Sequence, residues 1–183
     1  MCSVQEKLES KSAHVKFEFK YFINKKAPVS EMEFPVGYDC YFQGDLTGNE
    51  YKFILCVKVP ITTLCPCSKE ISKYSAHNQR TIVKVKVSYD EKDIIWIEDL
   101  VEKIESCGSS QVYSILKRCD EKYVTETAYE NPKFVEDVLR DVICLMEEDE
   151  KVTFYEIEVE AQESIHNHNA WAFQSENKLV GDK

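Results

Sequence analysis

The stretch "TIVKVKV" sets Thr81, Val83, Val85 and Val87 on one side of the chain and Lys84 and Lys86 on the other. A period of two belongs to extended backbone, whose successive side chains point to opposite faces, so this is a strand with one dry and one wet face. The pattern recurs along the chain. "HVKFEFKYF" alternates Val15, Phe17, Phe19 and Tyr21 with Lys16, Glu18 and Lys20, and "YKFILCVKVPITTLC" carries Tyr51, Phe53, Leu55, Val57, Val59 and Ile61 on one face. A shorter alternation, Tyr38, Cys40 and Phe42, runs into "GDLTGNE", whose Gly and Asn predict a turn that pairs it with the next strand. Pro60 has no N–H to give a ladder and is expected at a bulge or where pairing ends. "VTFYEIEVEAQ" and "AWAFQ" are the last strand candidates.

Two segments change the period. Ile97, Leu100, Val101 and Ile104 follow helical spacing, and "ESCGSS" closes that helix. A second helix is predicted to open with Asn131 as its N-cap and Pro132 in its first turn, then to repeat Val135, Val138, Leu139, Val142, Ile143 and Met146. "LKRCDEKYVTE" reads as a charged connection between the two. From residue 49 the order is strand, strand, helix, helix, strand, strand, which predicts an α+β fold: an antiparallel sheet with two helices on one face. The expected division is residues 1–48, two strands with no helix before them, and residues 49–183, a complete unit.

Composition narrows the setting. The chain has 183 residues, is 43% hydrophobic and carries a formal charge of −10, enough for one cored domain but without the basic surface that phosphate neutralisation needs, which argues against a nucleic-acid partner. No apolar run reaches the ~18 residues of a membrane span, and the start has no apolar signal core, so a soluble, cytoplasmic protein is expected. Eight cysteines beside only five Gly and five Pro do not make a secreted disulfide scaffold. Cys40 and Cys56 fall in strand patterns, Cys144 on a helix face, and Cys2, Cys107 and Cys119 near the terminus or turns, where a free cysteine serves as a small hydrophobe.

Cys65 and Cys67 stand in more suggestive company. One residue apart in an extended chain they would point to opposite sides, which suits one sulfur as a metal ligand and the other as an independent thiol, or else two ordinary cysteines at a strand end. His77 lies in the following loop, with Asn78, Gln79 and Arg80 behind it as hydrogen-bonding groups for a polar or phosphorylated ligand. Glu121 sits in the charged connection, where a carboxylate is commonly just solvated. Glu136 lies one turn inside the second helix, and His166 and His168 share one face of "SIHNHNAW". One Cys, one or two His and one Glu would make a mixed site with room for water, as in catalytic rather than structural metal sites.

Together, "VPITTLCPCSKEISKYSAHNQR", "LKRCDEKYVTETAYENPKFVEDVLRD" and "ESIHNHNAWAF" resemble the prokaryotic type IB GTP cyclohydrolases, and are similar to their archaeal metal-dependent relatives. The resemblance runs from about Val15 to Phe173, with "KAPVS" also matching. It implies the tunnelling fold, in which ββααββ units associate so that their sheets form a barrel with active sites at subunit interfaces. Members carry two such units in tandem, so residues 1–48 would be two strands of an incomplete first unit. By matching motifs, the resemblance assigns Cys65, His77, Glu121 and His166 to a divalent metal, which would be zinc, manganese or ferrous iron. It makes Cys67 catalytic together with His77, gives Glu136 to the guanine edge and leaves His168 as a support behind a metal ligand or a substrate contact, beside Gln79 and Arg80, which the polar run itself offers as substrate contacts.

The chemistry so implied is hydrolytic opening of the GTP imidazole ring at C8 with release of formate. Its product would be dihydroneopterin triphosphate, the pterin that enters folate synthesis, or a cyclic phosphate. The implied partners are GTP and further copies of the chain, as a dimer or tetramer, or a separate polypeptide supplying the missing half. Two other readings stand beside it: a non-catalytic or partner-dependent subunit, and another tunnelling-fold enzyme such as a deazapurine nitrile reductase, which the CPCS and HNH segments fit less well.

Overall fold

The computed structural model describes residues 2–90 and 92–180. A short helix α1 (Cys2–Leu8) precedes three long strands, β1 (Ser12–Lys26), β2 (Glu33–Thr47) and β3 (Glu50–Leu64). Then follow α2 (Pro66–Ile71), β4 (Asn78–Tyr89), α3 (Ile97–Ser106), the two-residue β5 (Ser110–Gln111), α4 (Arg118–Glu130), α5 (Val135–Glu148), β6 (Val152–Ala161), β7 (Ala170–Asn177) and a 3-10 turn at Lys178–Val180. The strands make one antiparallel sheet in the order β1-β2-β3-β4-β6-β7, with β5 paired to β3. This is the α+β architecture read from the sequence. Among the described residues no helix is long and apolar enough to cross a membrane.

The strand alternation fixes what the sheet buries. Leu55, Val57, Val59 and Ile61 of β3, Val83, Val85 and Val87 of β4, and Ile157 and Val159 of β6 are all fully buried on one face. Ile97, Leu100, Val101 and Ile104 of α3 and Val135, Val138, Val142 and Met146 of α5 close over them. Each such side chain contributes about 1.5–3 kcal/mol by leaving water. On the opposite face β4 and β6 exchange ion pairs between directly facing residues, Lys84 with Glu158 at 3.0 Å and Lys86 with Glu156 at 2.5 Å. Opposite charges across a strand pair stabilise their register.

The predicted turn between β2 and β3 is a two-residue hairpin, with Thr47 facing Glu50 and Gly48 in the left-handed region at φ 58°. Pro60 lies where the β2–β3 ladder, which runs from Thr47↔Glu50 to Asp39↔Lys58, has ended and β5 takes over at Ile61 and Thr62. The ring therefore falls in the gap between two partners on that edge of β3. No bulge is needed there.

Two helical expectations are corrected. Asn131 does not cap the second helix; it ends α4, donating its backbone N–H to Thr127 O at 3.1 Å and its side-chain amide to Gly108 O at 3.0 Å. Helix α5 begins at Val135 with Phe134 as N-cap: the Asp137 carboxylate accepts the Phe134 N–H at 3.0 Å, and Phe134 O accepts the first helical bond, from Val138 N–H at 3.1 Å. The "charged connection" is also a helix, α4. It has no apolar stripe to betray it, since only Asp120 and Ala128 are buried along it.

What fixes α4 is the Asp120 carboxylate. It accepts the backbone N–H groups of Val29, Ser30 and Lys117 at 2.8–2.9 Å and the Ser30 hydroxyl at 2.7 Å, tying the β1–β2 connection to the first turn of the helix. A comparable tie joins α3 to the outer strands, where the buried Glu105 accepts from Tyr38 Oη at 2.6 Å and from Lys25 Nζ. Burial alone would raise the Asp120 carboxyl, but the bonds from Ser30, Lys117 and Val29 outweigh it and hold the group well below the usual carboxylate range. A carboxyl depressed in the folded state adds stability above its unfolded pKa of about 4 and loses it as pH falls further. Asp120→Asn is therefore expected to be less stable at neutral pH and to show a flatter loss of stability than the parent between about pH 5 and pH 2, as measured by urea denaturation across that range. Parallel pH profiles for the two proteins would contradict the clamp.

Candidate functional site

The site begins where β3 leaves the sheet. Leu64 pairs with Asn78, and beyond that pair Cys65 N–H donates to His77 O at 3.1 Å, so Cys65 and His77 stand opposite each other at the mouth of the β3–β4 ladder. Pro66 follows with its pre-set φ and opens α2, for which Cys65 is the N-cap with extended backbone (φ −68°, ψ 116°). The Cys65 thiol accepts from Ser68 N–H at 3.5 Å. Ser68 Oγ donates to Cys65 O at 3.1 Å and accepts His77 N–H at 3.2 Å, so the α2 turn is fastened to both residues.

Helix α2 revises the extended geometry predicted for the cysteine pair. Cys67 lies in the first turn of the helix and is exposed, whereas Cys65 is half-buried at the strand end. The two sulfurs do differ in setting, but because a helix starts between them rather than because a strand alternates.

The first residues of β4 add the next groups. His77 Nδ1 lies 2.9 Å from Gln79 Oε1, and Gln79 Nε2 lies 3.3 Å from both Thr63 Oγ1 and Glu163 Oε1. His77 and Gln79 are two residues apart and share a face. Arg80, next along the strand, is exposed on the other face, which separates it from the Gln79 side of the site.

Helix α5 and the β6–β7 connection supply the opposite wall. Lys133 N–H donates to Leu64 O at 3.0 Å, and Lys133 Nζ to Cys107 O at 3.0 Å, which anchors the start of α5 beside the end of β3 and brings Glu136 to the cleft. Gln162 N–H donates to Arg80 O at 2.9 Å and holds the start of the β6–β7 connection against β4. That connection carries His166 and His168, both exposed, with rings stacked at 5.2 Å and 24°. The resulting cleft has a volume of about 270 Å³.

Of the residues singled out in the sequence, Cys65, His77, Gln79, Glu136, His166 and His168 line this cleft, whereas Cys67, Arg80 and Glu121 do not. Glu121 is on the solvent side of α4, 3.8 Å from Arg118 Nη1, while its neighbour Asp120 points inward. Sequence reasoning missed Glu163, whose largely buried carboxylate lies 4.0 Å from His77 Nδ1. Its position three residues before His166, at the head of the histidine segment, was the available signal.

The donor chemistry suits a borderline divalent metal: a thiol and two imidazoles, Cys65, His77 and His166, face one space. Among the described residues, however, no three Cys, His, Asp or Glu side chains are drawn into a ligating cluster. Cys40, Cys56, Cys65, Cys67, Cys107, Cys119 and Cys144 are free, and burial pushes the Cys40 and Cys107 thiols up to about 11, so these two are packing residues rather than nucleophiles.

The whole arrangement hangs on Leu64, whose N–H takes the buried Ser109 Oγ at 3.1 Å. Ser109→Ala leaves that N–H without a partner and is expected to destabilise the protein by about 1–3 kcal/mol in urea denaturation. A loss within experimental error of zero would mean that the strand end is held by other contacts.

Comparison with known sequences places this geometry in context. The family described as type I GTP cyclohydrolase folE2 matches residues 1–172. A protein named GTP cyclohydrolase FolE2 from Geotalea uraniireducens is 56% identical over 169 residues, covering 92% of this chain and 61% of its own length. Proteins of the same name are 53% identical from Geobacter metallireducens (97% of this chain, 67% of that protein) and 54% identical from Dictyoglomus turgidum (92% and 65%). The chain thus spans about three fifths to two thirds of the length of these relatives.

Proposed function

Because the chain belongs to the type I GTP cyclohydrolase FolE2 family, we propose that it serves hydrolytic opening of the guanine imidazole ring of GTP, with C8 leaving as formate on the route to dihydroneopterin triphosphate or a cyclic phosphate, and so to pterins and folate. The observation that carries this reading is the cleft at the end of β3, where Cys65, His77, Glu136 and His166 come together from four separate segments.

Glu136 takes the guanine edge. One carboxylate offers acceptor sites for two parallel N–H bonds, and guanine presents its N1–H and 2-amino group side by side. C8 lies at the far end of the purine from that edge, so a base anchored at the start of α5 directs C8 toward the sulfur and imidazole side of the cleft. Zinc, manganese or ferrous iron held by Cys65, His77 and His166 would supply a Lewis acid that brings the pKa of water toward neutrality. Of the two protons of the water added across C8=N7, one goes to N7 on addition and Cys67 Sγ carries the other to N9 as the C8–N9 bond breaks, which leaves C8 as a formyl group on N7. A second water then adds at C8, the C8–N7 bond breaks with a proton of that water passing to N7, and the carbon leaves as formate. His168, stacked on His166, holds its neighbour's ring in place.

Protein loaded with zinc or manganese is expected to release formate from GTP. Cys67→Ala should lower that rate by at least about a hundredfold while GTP is still bound. No formate from the assembled, metal-loaded protein, or formate from Cys67→Ala at the parent's rate, contradicts this assignment.

A second reading is favoured by Cys67 and Glu121, which lie outside the cleft of their own chain. In this reading the site is completed at an interface between copies of the chain, or with another polypeptide. Cys65→Ala and Glu121→Ala, each inactive alone, would then regain activity when co-assembled, since some shared sites receive both native residues. No recovery on co-assembly would confine the site to one chain.

A further inference from the structure

Gln79 is buried at the start of β4, and its side-chain amide touches three groups of the cleft. The direction of that amide follows from Glu163. An ionised carboxylate only accepts hydrogen bonds, so the atom facing Glu163 Oε1 at 3.3 Å has to be the NH2. Thr63 agrees: its hydroxyl, paired with Thr81 Oγ1 at 2.7 Å, retains a lone pair for Gln79 Nε2 at 3.3 Å. Gln79 Oε1 is thereby turned to His77 Nδ1 at 2.9 Å. An amide oxygen cannot donate, so Nδ1 has to carry the hydrogen. In a neutral imidazole that leaves Nε2 as the nitrogen with the free lone pair, the reverse of the form that histidine favours in water.

We infer that Gln79 is the positioning residue of this site: through one amide it holds His77 in the Nδ1–H tautomer, with Nε2 left as ligand, and ties the histidine-bearing β6–β7 connection to β4 through Glu163. Thr63 and Thr81 are its fixed end, since Thr63 pairs with Gln79 and both threonines are buried in the sheet. The consequence for metal affinity rests on the metal site proposed above; the tautomer itself does not.

The test begins with ¹⁵N-histidine-labelled, metal-free protein at a pH well above the ordinary histidine range, where long-range ¹H–¹⁵N spectra distinguish the two neutral tautomers. His77 is expected as Nδ1–H, and an Nε2–H pattern in the parent protein overturns the inference without recourse to any variant. In Gln79→Leu the pattern should move toward Nε2–H. A Leu variant with the parent's tautomer also overturns it. Cobalt(II) affinity read from absorbance should fall ten- to a hundredfold in Gln79→Leu, and an unchanged affinity contradicts the positioning role. All these readouts are taken without GTP, so a failure of formate release would refute the cyclohydrolase reading and leave them standing, while their own failure leaves formate release to be judged separately.

Discussion

Everything at the candidate site depends on how β3 ends. A buried strand terminus leaves a backbone donor and acceptor that water cannot reach, and each has to find a partner. Leu64 finds them in two different elements, Ser109 Oγ for its N–H and Lys133 N–H for its carbonyl. Those bonds do more than satisfy Leu64. They bring the segment after α3 and the segment before α5 to one point, and they stop the strand at the residue where Cys65 begins α2. Cys65 N–H, bonded to His77 O, then sets the first two candidate donors across from each other. Lys133 ties the backbone just before α5 to the strand end, and with it keeps Glu136 close to that end.

The same constraint explains which parts of the fold were legible in the sequence. The strands were, because Val83, Val85 and Val87 or Leu55, Val57 and Val59 record burial directly as a period of two. Helices α3 and α5 were as well, since their buried residues keep helical spacing. Helix α4 was not. It is held by polar bonds to one aspartate rather than by an apolar stripe, and hydropathy patterning has no register for a carboxylate that takes four hydrogen bonds. The start of α5 falls later than the sequence suggests for a related reason: Asn131 and Pro132 have the right local chemistry for a helix opening, but Asn131 closes α4 and it is Phe134, with its N–H taken by the Asp137 carboxylate, that caps α5.

At the candidate site, residues that are neighbours in the sequence part company in the fold. Gln79 and Arg80 are adjacent in a run of polar groups, and the strand sends them to opposite faces. Asp120 and Glu121 are adjacent acids, and the helix buries one and exposes the other. Cys65 and Cys67 were separated correctly in setting but for a different geometric reason. Glu163 went unread because a lone glutamate before a histidine segment carries no periodic signal; only the pairing of β4 with β6 brings it to Gln79.

These placements bear on how a complete site is made. Cys65, His77 and Gln79 line the cleft from backbone already fixed by the sheet, at the end of β3 and the start of β4, and Glu136 lines it from the first turn of α5. Such positions hold side chains to the fraction of an ångström that ligation and proton transfer require. Cys67 and Glu121 instead occupy outward faces of α2 and α4. In the proposed reaction these are the groups with the most to do, one moving protons and the other completing the metal's ligands. In the proposed interface reading, a rigid half-site within the chain, with its remaining groups presented outward, would couple chemistry to assembly: the cleft would hold the base, and the proton carrier and the last carboxylate would join it only when another surface is brought against it.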